Sequence, residues 1–250
     1  MEIKLEAFEA LDSTNTYLKK RAAGGAPEGT VVIANSQTAG RGRMGRSFAS
    51  APGLGIYMSM LLRPNTGAEC VQSLTAGTAV AVCRAIELVC GVSPGIKWIN
   101  DLFLKGKKIC GILCESSVKD SGAEYVVLGV GINVITRPQD FPEELRGTAG
   151  SLYSQTGVVY ERGKLISAAI SELGAMYETW KADPTALLDD YRRRCIVLGG
   201  TVEVSPVTGG VFTAYAEDIS DDFGLILRLP NGSVRTVHSG EVRISQRRTD

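Results

Sequence analysis

The apolar residues change their period near residue 197, and that change constrains the fold more than any other feature of the sequence. Before it, apolar runs alternate with glycine-rich loops and with stretches of helical period, the mixture expected of an α/β domain. Beyond it, short alternating strands are separated by turn signals at Gly209-Gly210, Asp221-Asp222 and Asn231-Gly232, the last a two-residue hairpin turn. The fold class read from this is α/β (α+β), with a larger domain over residues 1–196 and a small β-barrel-like domain over 197–250. A chain of 250 residues with 44% hydrophobic and 22% charged residues can bury a core in both.

Within the first domain, IKLEAFEAL reads as an opening strand, and Asp12 or Ser13 can cap a helix running to Lys19 or Arg21. Residues 30–36 and 56–63 read as strands, and Gly67 to Val89 as a buried helix. Three further strands are expected at Ile96–Ile99, Leu102–Leu104 and Ile109–Glu115, the last two joined at Lys105-Gly106-Lys107, where glycine supplies a positive φ. Tyr125 to Val134 reads as a strand broken by Gly129 and Gly131. Leu165, Ala169, Leu173, Met176 and Trp180 fall on one helical stripe, and Asp183-Pro184 is placed to start another helix ending near Arg194.

Formal net charge is zero, so the basic footprint of a protein that lives on nucleic acid is missing, and any anion site must be local. No apolar stretch is expected to approach the roughly 18 residues that span a bilayer, and no leader is read at the N-terminus. The six cysteines form no CxxC pair and sit in apolar runs, which suits a reducing, cytoplasmic setting. With His238 as the single histidine, a Ser/His/Asp mechanism has little support.

Four stretches carry chemistry. In GRGRMGR, Gly40 to Arg46, glycines expose backbone N–H groups while Arg41, Arg43 and Arg46 offer forks for carboxylate or phosphate; an anion clamp and a solvated or RNA-touching basic loop both fit. KWIND, Lys97 to Asp101, could hold a base, a ribose and a phosphate or metal, or could be a strand end with Trp98 in the core and Asn100-Asp101 in a turn. KKICGILCE, Lys107 to Glu115, says strand, with Lys108 at its mouth and Gly111 allowing close approach. GVGINV, Gly129 to Val134, lacks the third glycine and the following helix of a dinucleotide loop.

Taken in this order, with DSTN at Asp12 to Asn15 before them, these stretches resemble the biotin protein ligase family, whose motifs are written GRGRxGR, KWPND, KxxGIL and GxGxN. The resemblance covers Leu11 to Val134, and the closing segment SGEVRI extends it to nearly the whole chain. It implies a mixed-sheet catalytic domain of the biotin/lipoate ligase type followed by a small SH3-like β-barrel. It also implies an enzyme that joins biotin to ATP as biotinyl-5'-AMP and passes the biotinyl group to a lysine of a biotin carboxyl carrier protein or domain.

Carried across by position, the family's roles give biotin contacts to Ser13, Thr14, Asn15, Gln37, Gly40, Arg41, Gly42, Arg43, Lys108 and Gly111. ATP falls to Arg43, Arg46, Phe48, Lys97, Asn100, Asp101 and Asn133, with Asp101 at Mg2+. Lys108, Arg41 and Arg43 are the catalytic group. Three positions depart from the pattern. Met44 stands where arginine is common and weakens phosphate attraction; Ile99 replaces proline and loosens a turn; Phe48 replaces tryptophan and covers less area.

The competing readings are a lipoate ligase, a repressor with an N-terminal helix-turn-helix, and a non-enzymatic biotin-binding module. DSTN beginning at Asp12 is expected to leave no room for the second, so no nucleic acid is expected; the short apolar runs give no expectation of a membrane, and a homodimer stays open. The loop from Thr38 to Phe48, with little apolar surface and three mutually repelling arginines, is expected to be mobile without ligand.

Overall fold

A central strand sets the layering of the larger domain. In the computed structural model, which describes residues 1–244 except 65, 68, 69, 120, 121 and 208, β1 (Lys4–Leu11) and β2 (Thr30–Gln37) precede β3 (Gly55–Leu62). Every residue of β3 is buried, and a strand with two apolar faces needs both covered. One face lies under α1 (Thr14–Ala23), where Leu18 and Ala22 meet Val32, Leu61, Tyr125 and Val127. The other faces α2 (Cys70–Cys90); Gly67, where the helix was expected to begin, is not helical, and residues 68 and 69 of that expectation lie outside the described residues.

The sheet is completed by β4 (Gly95–Lys97), β5 (Asp101–Leu104), β6 (Lys107–Lys119) and β7 (Gly122–Asn133), in the order β1-β2-β3-β7-β6-β5-β4. β1 and β2 are parallel and the remaining neighbours antiparallel, so the sheet is mixed. The short α3 (Leu152–Thr156) leads to α4 (Arg162–Ala182), whose stripe Leu165, Ala169, Leu173, Met176 and Trp180 is buried as its spacing predicts.

Five strands follow α5 (Leu188–Arg194): β8 (Gly200–Ser205), β9 (Phe212–Ile219), β10 (Leu225–Arg228), β11 (Val234–Val237) and β12 (Glu241–Ile244). They pair antiparallel in the order β11-β10-β9-β8-β12. This second sheet is held to the turn after β4 by Trp98 Nε1, which donates to Phe223 O at 3.0 Å, and to α5 by Arg192, whose Nη2 donates to Ile219 O at 2.6 Å.

Four expectations need correction. β7 is not broken at Gly129 and Gly131; it runs unbroken because those glycines make room for side chains lying across the strand, as described below. The strand expected at Ile96–Ile99 stops at Lys97, where Trp98 to Asn100 turn the chain. Asp183 caps the end of α4, and its carboxylate accepts from Thr185 N at 2.8 Å, so it closes a turn and α5 begins only at Leu188. Finally, α2 is by length and composition apolar enough to cross a membrane, contrary to expectation; 67% of that stretch is buried in the protein, the setting of a core helix.

Candidate active site

The site grows from the N-terminus of α1 and the residues of β2, β3 and β6 beside it. Ser13 is the N-cap of α1, with Oγ accepting from Thr16 N at 3.5 Å, so its buried hydroxyl serves the helix. Capping aims the next two residues inward. Thr14 N and Oγ1 both donate to Gln37 Oε1, at 2.8 and 3.1 Å, while Gln37 Nε2 donates to Ser50 Oγ at 2.9 Å. Asn15 Nδ2 donates to Leu113 O at 3.1 Å and to Glu115 Oε2 at 2.9 Å. Ser59 Oγ lies 2.8 Å from Thr14 Oγ1 and 2.6 Å from Asn15 Oδ1. Thr14, Asn15 and Ser59 are all buried, and the hydrogen bonds among them keep their polar atoms satisfied.

The glycines of the strands below are spacers. A Cβ on Gly129 would lie 2.2 Å from Asn15 Oδ1, and one on Gly131 would lie 2.6 Å from the Phe48 ring. Gly111 is similarly covered, with a Cβ position 3.2 Å from Phe48 Cε2 and 3.4 Å from Lys108 Nζ. Gly40 is buried where a Cβ would meet Phe48 O at 2.4 Å. Phe48 thus lies flat over two strands, the cover expected of an aromatic at this position.

Beside this network opens a cavity of about 450 Å3, lined among others by Gly42, Arg43, Arg46, Phe48, Lys97, Asn100, Asp101, Lys108, Gly111 and Asn133. All seven expected ATP residues line it. Of the expected biotin residues, Ser13, Thr14, Asn15, Gln37, Gly40 and Arg41 do not; they form the neighbouring network, joined to the cavity through Leu113 and Gly129.

The cavity's charge is lopsided. Arg43, Arg46, Lys97, Lys108 and Arg243 face it, against two carboxylates, Asp101 and Glu241. Both carboxylates are already matched. Lys108 Nζ lies 2.7 Å from Asp101 Oδ1, a buried oxygen that makes no hydrogen bond, so charge alone holds that contact; Arg46 pairs with Glu241. Burial pulls Lys97 below the usual lysine range, which Asp101 partly offsets and Lys108 reinforces. Asn100 turns its carboxamide to the protein: Nδ2 donates to Ile112 O at 2.8 Å, and Oδ1 accepts from Arg43 Nη1 at 2.8 Å. Ile112 N also donates to Asn100 O at 3.0 Å, so the turn that Ile99 was expected to loosen is pinned, with Ile99 itself buried. Asn133 Nδ2 donates to Gly150 O at 2.9 Å and secures the far wall.

The arginine loop is not the unanchored, self-repelling segment its sequence suggests. Arg41 lies 3.0 Å from Glu115 Oε1, Arg43 reaches Asn100 and Gly240 O, and Arg46 reaches Glu241. Gly42 N to Arg46 O at 2.7 Å and Phe48 N to Gly40 O at 2.9 Å close it as a narrow hairpin. Met44 stands exposed at its tip with φ 53°, pointing no charge at the cavity.

Against known proteins, the model of the biotin/lipoate A/B protein ligase family matches residues 7–133. A biotin–[acetyl-CoA-carboxylase] ligase of Mycobacterium tuberculosis is 34% identical over 244 residues, covering 96% of this chain and 88% of that protein. The chain belongs to the biotin protein ligases. The bifunctional ligase/repressor BirA of Bacillus subtilis is 34% identical over 240 residues, 94% of this ligase and 72% of that protein. Among solved structures, the biotin protein ligase from Aquifex aeolicus in complex with biotin and ATP superposes with a TM-score of 0.84 at 26% identity, covering 97% of this ligase and 99% of that chain.

Sequence reasoning missed Ser59, Glu115 and Glu241 as parts of the site. Ser59, the one small polar side chain inside the apolar run IYMSMLL, was a readable signal. Glu115, at the end of KKICGILCE, looked like an ordinary strand terminus. Nothing near Glu241 announces that it reaches a loop almost 200 residues earlier.

Proposed function

We propose that the two neighbouring regions divide the two substrates: the neutral network of Thr14, Asn15, Gln37 and Ser59 takes the biotin ring, and the cationic cavity takes ATP. The chain is an ATP-dependent, AMP-forming ligase. Biotin's carboxylate attacks the α-phosphate, pyrophosphate leaves, and the resulting mixed anhydride is opened by a lysine amine with loss of AMP.

The supporting observation is the excess of cations in a cavity whose two carboxylates are already paired. Bringing a carboxylate to a phosphate joins two anions, so fixed positive groups lower the barrier more than any nucleophile of the protein could. In this reading Lys108 sits where biotin's carboxylate meets the α-phosphate, Arg41 and Arg43 close over the same atoms, and Lys97 and Arg46 face the remaining phosphates. Phe48 and the hairpin keep water from the anhydride.

The described residues hold no cluster of three or more His, Cys, Asp or Glu side chains. A magnesium ion that arrives on the triphosphate and keeps most of its water suits such a site, with Asp101 supplying one oxygen. It would screen the phosphate charge. The acceptor belongs to a biotin-dependent carboxylase, and its biotin carboxyl carrier domain is the proposed partner. We also infer a division into catalytic residues 1–196 and a C-terminal domain over 197–250, of which 245–250 lie outside the described residues. The proposal includes a cytoplasmic setting, in keeping with the free thiols of Cys83, Cys110 and Cys195, and no nucleic-acid partner, in keeping with zero net charge, and it leaves a homodimer open. The edge strand β1, with Leu5 exposed, is one surface for that homodimer.

Intact mass of a carrier domain after incubation with biotin, magnesium and ATP tests the reading. One biotinyl group on the carrier is expected. Modification with lipoate in place of biotin, or none with either, would overturn it.

A further inference from the structure

Glu115 is a carboxylate bonded into the neutral region through Asn15, and it holds Arg41, which the reading above places over the substrate's carboxylate. Its side chain is 17% exposed, and three groups from two segments, α1 and the arginine loop, converge on it. Asn15 Nδ2 donates to Oε2 at 2.9 Å, Lys19 Nζ lies 2.9 Å from Oε1, and Arg41 Nη1 lies 3.0 Å from Oε1. Burial pushes this carboxyl up, yet Asn15, Lys19 and Arg41 together take it below the usual carboxylate range, so it stays charged at neutral pH. A carboxylate beside the substrate's own carboxylate repels it unless the cation between them is shared.

The geometry allows that sharing. A guanidinium has two edges, and Arg41 commits Nη1 alone to Glu115, leaving Nε and Nη2 without a protein partner among the described residues. The same carboxylate fixes Asn15. With Nδ2 donating to both Glu115 and Leu113 O, the carboxamide cannot flip, and Oδ1 is held toward Ser59 over Gly129.

We propose that Glu115 is a positioning residue for the ligase reaction: it anchors Arg41 by one nitrogen so that the free edge of the guanidinium is presented to the biotinyl adenylate. The proposal rests on the ligase reading above. Lys19 shares the carboxylate from α1, so that Glu115 faces two cations.

The test is adenylate retention in a double-mutant cycle. Biotinyl-5'-AMP is formed on the enzyme from biotin and magnesium-ATP with pyrophosphatase present, and its release into a biotin chase is timed. Glu115→Gln keeps the shape and an acceptor for Asn15 but removes the charge that holds Arg41. Release should quicken about tenfold, the scale of one charge-assisted hydrogen bond. In an Arg41→Gln background the same substitution should change release by less than about twofold, because its effect passes through Arg41. An equal quickening in both backgrounds would show that Glu115 acts by general structure and overturn the proposal. If Glu115→Gln does not fold, Arg41→Lys serves: an ammonium cannot both anchor and fork, so release should quicken about tenfold again. Retention as good as that of the parent chain would contradict the proposal. A parent chain that makes no adenylate would overturn the ligase reading together with the proposal, whereas adenylate made but insensitive to the cycle overturns the proposal alone.

Discussion

The two halves of the site are built differently. The region around Asn15 is buried, nearly neutral and assembled on the first turn of a helix and four adjacent strands, β2, β3, β7 and β6, with its hydrogen bonds closed inside the protein. The cavity next to it is cationic, and its walls come from the arginine hairpin, the Lys97–Asp101 turn, β6, the residues around Thr148 and the C-terminal segment at Gly240–Arg243. A rigid neutral pocket suits a ring recognised by shape and hydrogen bonds. A charged cavity with walls from remote segments suits a polyanion whose arrival neutralises those segments and draws them together. The expected cost of damage differs accordingly.

The largest effect should come from the junction of the halves. Lys108→Ala removes the cation that the proposed reading places between carboxylate and phosphate and leaves Asp101 uncompensated, so biotin-dependent pyrophosphate release should fall roughly 100- to 1,000-fold, as for loss of one preorganised donor. Release within threefold of the parent would place the reacting atoms elsewhere.

Next comes the cover over both halves. Phe48→Ala uncovers Gly111 and Gly131 together, and loss of that aromatic surface should raise adenylate hydrolysis or escape about tenfold, while Phe48→Trp should lower it. Unchanged escape would mean that the ring is only packing.

The smallest effect sharpens the role of the C-terminal sheet. Arg46 and Glu241 form an exposed pair between the hairpin and β12, and such pairs contribute little and fade with salt. Glu241→Gln should change the KM for ATP about twofold at low ionic strength and not at all at high. A tenfold change that persists in salt would show that Glu241 handles ATP directly.

Much of this contrast was legible in the sequence where it depends on neighbours in the chain. The Ser13 cap, the Lys105-Gly106 hairpin and the α4 stripe follow from local spacing and appear as expected. So does the convergence of GRGRMGR, KWIND and Lys108 on one cavity. What could not be read depends on partners far apart. Gly129 and Gly131 looked like breaks because the side chains that need their missing Cβ atoms come from Asn15 and Phe48, more than 80 residues earlier. The arginine loop looked unanchored because Glu115 and Glu241, which hold Arg41 and Arg46, lie in other elements. The turn at Ile99 looked loose because its clamp is Ile112 of β6.

The division of substrates between the two halves is tested most directly by calorimetric titration of Gly129→Ala with biotin and, separately, with ATP. The added methyl would lie 2.2 Å from Asn15 Oδ1, so it must displace that side chain; Gly129 also borders the cavity, but the three atoms nearest the methyl all belong to Asn15 and none to Lys97, Lys108 or Arg43. The account predicts that biotin binds about tenfold or more weakly, the cost of one broken buried hydrogen-bond network, and that ATP affinity stays within about twofold of the parent. Equal losses for both ligands, or full retention of biotin affinity, would contradict it.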